Sequence, residues 1–174
     1  TLPHASGNAI EIYRDRPREE GTYDGDTSHR GTDPIDWPGV LMARDNNKFA
    51  GMPAGTDMGH MHLHVSELVT TQSFYQNVLG FDLMIALAGS ALFMAVDGYH
   101  HHIGLNTWQG TGAPPPAAGS VGLCHFEVNV SAADIAAIIA RLEAAELPFE
   151  QRDGRLIVDD PSTNTIHFVE TATT

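Results

Sequence analysis

Six of the ten histidines in the chain fall in two short runs, His60, His62 and His64 in one and His100, His101 and His102 in the other. Imidazole is the commonest metal ligand and the side chain that moves protons most readily near neutral pH. In GHMHLHV (59–65) the histidines alternate with Met61, Leu63 and Val65, so an extended backbone places three imidazoles on one face and three apolar groups on the other. A facial site for a divalent transition metal needs two or three such donors converging from different strands, with positions left open for substrate and for oxygen or water.

A second set of donors follows from a repeat. A shift of 65 residues carries His60 onto His125, Leu63 onto Val128, Val65 onto Val130 and Ser66 onto Ser131. CHFEVNV (124–130) alternates as the first strand does, with Phe126, Val128 and Val130 opposed to His125, Glu127 and Asn129. His60 and His125 thus occupy equivalent places in two copies of one unit, and pseudo-twofold packing could bring both into one cleft. Against this stands the plainer reading of histidines on a polar strand face, and His62 and His64 read as cleft lining or solvent face.

The elements that must position these groups are legible. After the first histidine strand, Phe74, Tyr75, Val78 and Leu79 have helical spacing, Ser66 is a candidate N-cap and Gly80 a candidate stop. Three apolar runs follow, FDLMIAL (81–87), ALFMAV (91–96) and HIGLNTW (102–108), separated by Ala88-Gly89-Ser90 and Asp97-Gly98-Tyr99, both good turn chemistry. The order is βαβββ. In the second copy Ser131 with Asp134 resembles a capping box, Ile135, Ile138, Ile139 and Leu142 form an apolar stripe, and residues 148–153, 155–160 and 164–170 supply closing strands. The fold class is α+β, two tandem βαβββ modules forming a curved mixed sheet around a metal cleft. The boundaries are an orphan strand at 1–13, in which NAIEIY (8–13) alternates, a connector at 14–57 rich in Gly, Pro, Asp and Arg, a first module at 58–109, a Pro/Gly linker at 110–120 and a second module at 121–174.

Composition narrows the partners. The chain has 174 residues, 42% of them apolar, enough for a real core. Nine basic against 22 acidic residues give a net charge of −13, which repels phosphate backbones and anionic lipid, so neither nucleic acid nor membrane is an expected partner. The lone cysteine, Cys124, has Leu123 and Phe126 nearby and is expected in or near a strand core, and a single thiol with no apolar span or signal-like N-terminus fits the cytoplasm. A strand at 8–13 with no module before it would expose an edge, which predicts a homo-oligomer or a partner chain that supplies missing modules.

Residues 59–84 followed by 91–108 resemble the third module of bacterial catechol 2,3-dioxygenases, members of the glyoxalase/bleomycin-resistance/extradiol-dioxygenase superfamily known as vicinal oxygen chelate proteins. Residues 8–20 resemble the end of their second module. The resemblance implies a metal-dependent extradiol ring cleavage of a catechol-type aromatic by O2, with Fe(II) as the metal and Mn(II), Zn(II) or Ni(II) as alternatives. It implies a metal ligand at His60, a carboxylate ligand at Glu11 in GNAIE (7–11), and an acid/base group at His102 with His101 beside it. Tyr99 can hydrogen-bond a phenolic substrate, and His62 lines the same cleft.

The chain departs from that pattern in the last strand, where His167 fills the place of a carboxylate and the apolar run Leu156–Val158 replaces a tyrosine. Two ligand sets therefore compete, His60 with His125 and His167, or His60 with Glu11 and a histidine from elsewhere. The three-histidine set would suit a glyoxalase-like isomerase or lyase, and a degenerate pair would leave a non-catalytic small-molecule binder. Asp159, Asp160 and Pro161 read as a turn, and no nucleophile triad or phosphate loop is recognisable.

Overall fold

A computed structural model describes residues 2–3, 8–15, 34–44 and 48–171 of the chain. Much of the expected connector, at 16–33 and 45–47, and the ends of the first and last segments, at 1, 4–7 and 172–174, lie outside the described residues. Strands β1 (Leu2–Pro3) and β2 (Ala9–Ile10) form a small antiparallel pair. The expected strand at 8–13 is thus regular for only two residues, and residues 11–15 join no ladder among the described residues. Helix α1 (Trp37–Ala43) starts at the Asp36 N-cap, whose side chain accepts from Gly39 N, and buries none of its residues.

Two four-stranded mixed sheets carry the rest. The first has the order β3-β6-β5-β4, from β3 (Met61–His64), β4 (Asp82–Leu87), β5 (Ala91–Ala95) and β6 (Ile103–Asn106). The second has the order β7-β10-β9-β8, from β7 (Phe126–Val130), β8 (Glu150–Arg152), β9 (Arg155–Asp159) and β10 (Thr165–Glu170). In each the first and last strands run parallel while the remaining pairs are antiparallel. This is the tandem βαβββ architecture expected from the periodicity.

The first helix, α2 (Leu68–Ser73), opens one residue later than expected. Glu67 rather than Ser66 caps it, because the longer carboxylate reaches both Val69 N and Thr70 N. Ser66 instead takes its backbone partner from the other module, its N–H donating to Ser162 Oγ at 2.9 Å. The helix widens into a π-helical turn over Phe74–Leu79, which lets Phe74, Tyr75, Val78 and Leu79 all face the core, and ends at Gly80 in the left-handed region (φ 91°). Helix α3 (Ala132–Ala144) has the full capping box of Ser131 and Asp134.

One apolar core serves both modules. Leu63, Val65, Tyr75, Leu92, Met94, Ile103 and Leu105 from the first join Phe126, Ile138, Leu142, Leu156, Ile166 and Phe168 from the second in a single cluster. Polar bridges cross the same boundary. Arg141 on α3 donates to the carbonyls of Val78 (2.6 Å) and Leu79 (3.2 Å), and the Tyr75 hydroxyl donates to Asp160 at 3.3 Å. Asp160 also accepts from Ser162 N, Asn164 N and Asn164 Nδ2, so it is the knot of the β9–β10 turn, and burial raises its carboxyl pKa. Cys124 is exposed, against the expectation of a core thiol, because β7 begins only at Phe126. Among the described residues no helix is long and apolar enough to cross a membrane.

Candidate metal centre

The parallel register of β3 on β6 sets His62 opposite Gly104 and His64 opposite Asn106, which places His60 and His102 at the open end of the sheet. Met61 N donates to His102 O, closing that end. Residues Glu11, Tyr13 and Asp15 arrive against it from the preceding segment. Their spacing of two puts three polar side chains on one face of an extended chain.

His60 is the hub. Its Nε2 lies 3.2 Å from Glu11 Oε2, and its Nδ1 lies 3.1 Å from Tyr13 Oη. Tyr13 Oη lies 3.3 Å from Tyr99 Oη, which donates to Asp15 Oδ2 at 2.8 Å. Gly59 makes the approach possible, since a Cβ there would overlap the Tyr13 hydroxyl. The directions close consistently when His60 Nδ1–H donates to Tyr13, Tyr13 to Tyr99 and Tyr99 to Asp15. With His60 Nδ1 tied to Tyr13, its Nε2 is left facing the Glu11 carboxylate at 3.2 Å.

Three further imidazoles surround the hub. His101 packs on His60 with ring centroids 4.4 Å apart, and its Nδ1 is 2.9 Å from His100 Nδ1. His100 reaches Asp15 at 3.6 Å. Burial, then the neighbouring His60 and His100, pushes the His101 pKa down to about 3, so its ring is neutral at ordinary pH. Burial also lowers His62 and His100, with Asp15 pulling His100 the other way, and burial with the Tyr13 and Asp15 hydrogen bonds raises Tyr99. His102 lies under the Tyr99 ring at 4.6 Å and accepts from Val96 N at 3.3 Å. His62 stands between Phe93 (5.7 Å) and Trp108 (5.1 Å), forming an aromatic wall, while His64 is tied to Asn106 at 2.8 Å.

His125 and His167 come together elsewhere. Their rings stack at 4.0 Å with planes 15° apart, and with Glu127 they offer three ligand atoms all within 4.8 Å of one another. Burial, then His125 and Arg155, lowers the His167 pKa. The structure therefore brings Glu11 to His60 and His167 to His125, and it does not gather His60, His125 and His167 into one group of that size among the described residues. Sequence reasoning passed over Glu127 as a donor, although it stands at the place of His62 after the repeat shift. It also passed over Tyr13 and Asp15, whose signal was their spacing of two and four residues from Glu11.

No protein-family model matches the chain. The chain is 38% identical over 163 residues to the catechol-2,3-dioxygenase of Bacillus subtilis strain 168, covering 92% of this chain and 57% of that protein. It thus spans little more than half of this relative's length. Among solved structures it is similar to a lactoylglutathione lyase from Agrobacterium tumefaciens (TM-score 0.52, 24% identity, 68% of this chain and 96% of that one). It is similar also to a glyoxylase/bleomycin resistance protein/dioxygenase domain from Frankia sp. EAN1pec (TM-score 0.53, 19% identity, 67% and 93%). These two likenesses are of fold.

Proposed function

The chain belongs to the vicinal oxygen chelate superfamily, and from that membership we propose that it is an extradiol ring-cleaving dioxygenase acting on a catechol-type aromatic, with His60 and Glu11 as ligands to a divalent metal. The observation that carries the reading is the His60–Glu11 contact of 3.2 Å with the opposite ring nitrogen tethered. Ligands at about 2.1 Å from a six-coordinate ion stand roughly 3 Å apart along each edge, so this pair is spaced as two neighbouring ligands. A neutral imidazole and a carboxylate suit Fe(II), and also Mn(II), Zn(II) or Ni(II). The His101 ring packs on His60 with centroids 4.4 Å apart.

Such an ion, when bound, acts as a Lewis acid toward the two hydroxyl oxygens and keeps a position for O2. The protein supplies the rest. His101, neutral and packed on His60, can accept a proton from a catechol hydroxyl. Tyr99, already engaged with Asp15, can hydrogen-bond the other oxygen, and His102 beneath its ring holds it in place. Phe93, His62 and Trp108, their rings inclined to one another, give an aromatic wall for the ring. Orientation of this kind is worth more than any single contact, since holding two reactants together removes most of the entropic cost of meeting.

The test is direct. Protein loaded with Fe(II) under anaerobic conditions is mixed with catechol, air is admitted, and a yellow ring-fission product is followed by absorbance. Wild type turns yellow and H60A does not. Bound iron with no colour in wild type refutes the reading, and purification with zinc or nickel and no O2 uptake turns it toward a glyoxalase-like isomerase.

A further inference from the structure

One carboxylate outside both sheets is tied to the two side chains that the proposed reaction sets against the substrate oxygens. Asp15 Oδ2 accepts from the Tyr99 hydroxyl at 2.8 Å, and Asp15 Oδ1 stands 3.6 Å from His100 Nε2. His100 Nδ1 in turn lies 2.9 Å from His101 Nδ1. Asp15 thus reaches Tyr99 in one step and His101 in two.

The proton positions along the second arm follow by elimination. An ionised carboxylate can only accept. At 3.6 Å it attracts an N–H and repels a ring lone pair, so His100 carries its proton on Nε2. At about pH 8 an imidazole of ordinary pKa, roughly 6.5, is neutral and has a single N–H. His100 Nδ1 is then a bare acceptor, and a contact of 2.9 Å between two ring nitrogens needs one proton, which His101 Nδ1 must supply. His101 is left with its lone pair on Nε2. Ring contacts with Phe93 (centroids 5.0 Å) and His60 (4.4 Å) oppose a flip that would carry Nδ1 away from His100.

We propose that Asp15 is a positioning residue that selects the His101 tautomer through His100, presenting Nε2 as the proton-accepting nitrogen, while its other oxygen holds the Tyr99 hydroxyl. The tautomer is a property of the chain alone, and its value for catalysis rests on the dioxygenase reading. A base whose lone pair already sits on the accepting atom needs no proton exchange within its ring before it takes the catechol proton. The Asp15 side chain is itself half exposed, so a substitution there tests the relay without opening the core.

The test is a long-range proton–nitrogen correlation spectrum of the histidine rings in the chelator-treated full chain at about pH 8, where imidazoles of ordinary pKa are neutral; it separates protonated from bare ring nitrogens. His101 signals are assigned by their loss in H101Q, and circular dichroism confirms that each variant is folded. Wild type is expected to show His101 protonated on Nδ1 and bare on Nε2, and His100 the reverse. D15A and H100A should both move His101 away from that form. Wild-type His101 protonated on Nε2 overturns the assignment, and D15A with unchanged His100 and His101 signals overturns the role of Asp15. H100A that leaves His101 unchanged while D15A alters it overturns the route through His100. With Fe(II) bound, D15A should cleave catechol with kcat lowered roughly tenfold, the order of loss expected when the outer partner of an active-site imidazole is removed. An unchanged kcat overturns the catalytic value of the relay. Wild type that cleaves no catechol refutes the dioxygenase reading, whereas the ring-nitrogen signals, read without metal or substrate, decide the tautomer by themselves.

Discussion

Replacing Arg141 by Met should cost about 2–3 kcal/mol of folding stability. The guanidinium crosses from α3 to the end of the π-helical turn, where Nε donates to Val78 O at 2.6 Å and Nη2 to Leu79 O at 3.2 Å. These carbonyls lie in the last turn, where intrahelical donors run out. Hydrogen bonds from a charged donor contribute about 1.5–3 kcal/mol each, and a cation at a helix C-terminus adds roughly 0.3–1 kcal/mol. Arg141 is only half-buried and the second bond is long, so the sum is reduced to about half by solvent screening. Methionine keeps most of the aliphatic stem, which isolates the polar contribution. Urea unfolding gives the number, with circular dichroism reporting both modules and, in a W37F background, tryptophan fluorescence reporting Trp108 in the first. The two transitions should move together, because Ile138 and Leu142 of α3 share a core with Tyr75 and Leu79. A shift under about 0.5 kcal/mol would show that the carbonyls are satisfied without Arg141, and separated transitions would refute the shared core.

Asp160→Ala removes the acceptor for Ser162 N, Asn164 N and Asn164 Nδ2 in a buried turn and should cost about 3–4 kcal/mol in thermal or urea unfolding, with Asp160→Asn recovering about half. Gly104→Ala adds a methyl 3.0 Å from His62 Cγ; His62 is exposed enough to swing aside, so stability should stay within about 1 kcal/mol, while the His62 ring resonances move relative to Trp108 and catechol KM rises severalfold. Acid should destabilise the chelator-treated protein through His101, whose folded pKa of about 3 lies below its unfolded value of roughly 6.5. The folded state binds that proton less well, so stability is intact above about pH 6.5 and is lost as pH falls toward 3, by about 2 kcal/mol at pH 5, or near 1 after screening. His101→Gln should flatten that slope in urea midpoints, and an unchanged slope would refute the assignment.

Most of the architecture could be read from periodicity because each strand has one buried face. Leu63 and Val65 alternate with exposed His62 and His64, and Phe126 with exposed Glu127, which is the pattern that period-two reasoning detects. The Ser131–Asp134 box was equally legible, being a local interaction. What escaped was set by contacts distant in sequence. Ser66 looks like a cap, yet Ser162, 96 residues away, takes its N–H. The strand at 8–13 alternates well but, among the described residues, pairs with Leu2 and Pro3 alone, and its Glu11 and Tyr13 side chains reach the His60 hub.

The candidate site shows the same division more sharply. A shift of the repeat maps His60 on His125 and His62 on Glu127, and the parallel registers map Gly104, opposite His62, on His167, opposite Glu127. The two modules therefore present one backbone frame with three corresponding corners. In the second module those corners are His, Glu and His, a complete donor set. In the first they are His, His and Gly, so the third corner carries no donor, and a Cβ at Gly104 would stand 3.0 Å from the His62 ring. The carboxylate beside His60 comes instead from outside the module, from Glu11 in the segment before it. Internal symmetry in the sequence predicted one shared site, but residue identity at a single strand position decides whether a module completes its own donor set or borrows from a neighbour.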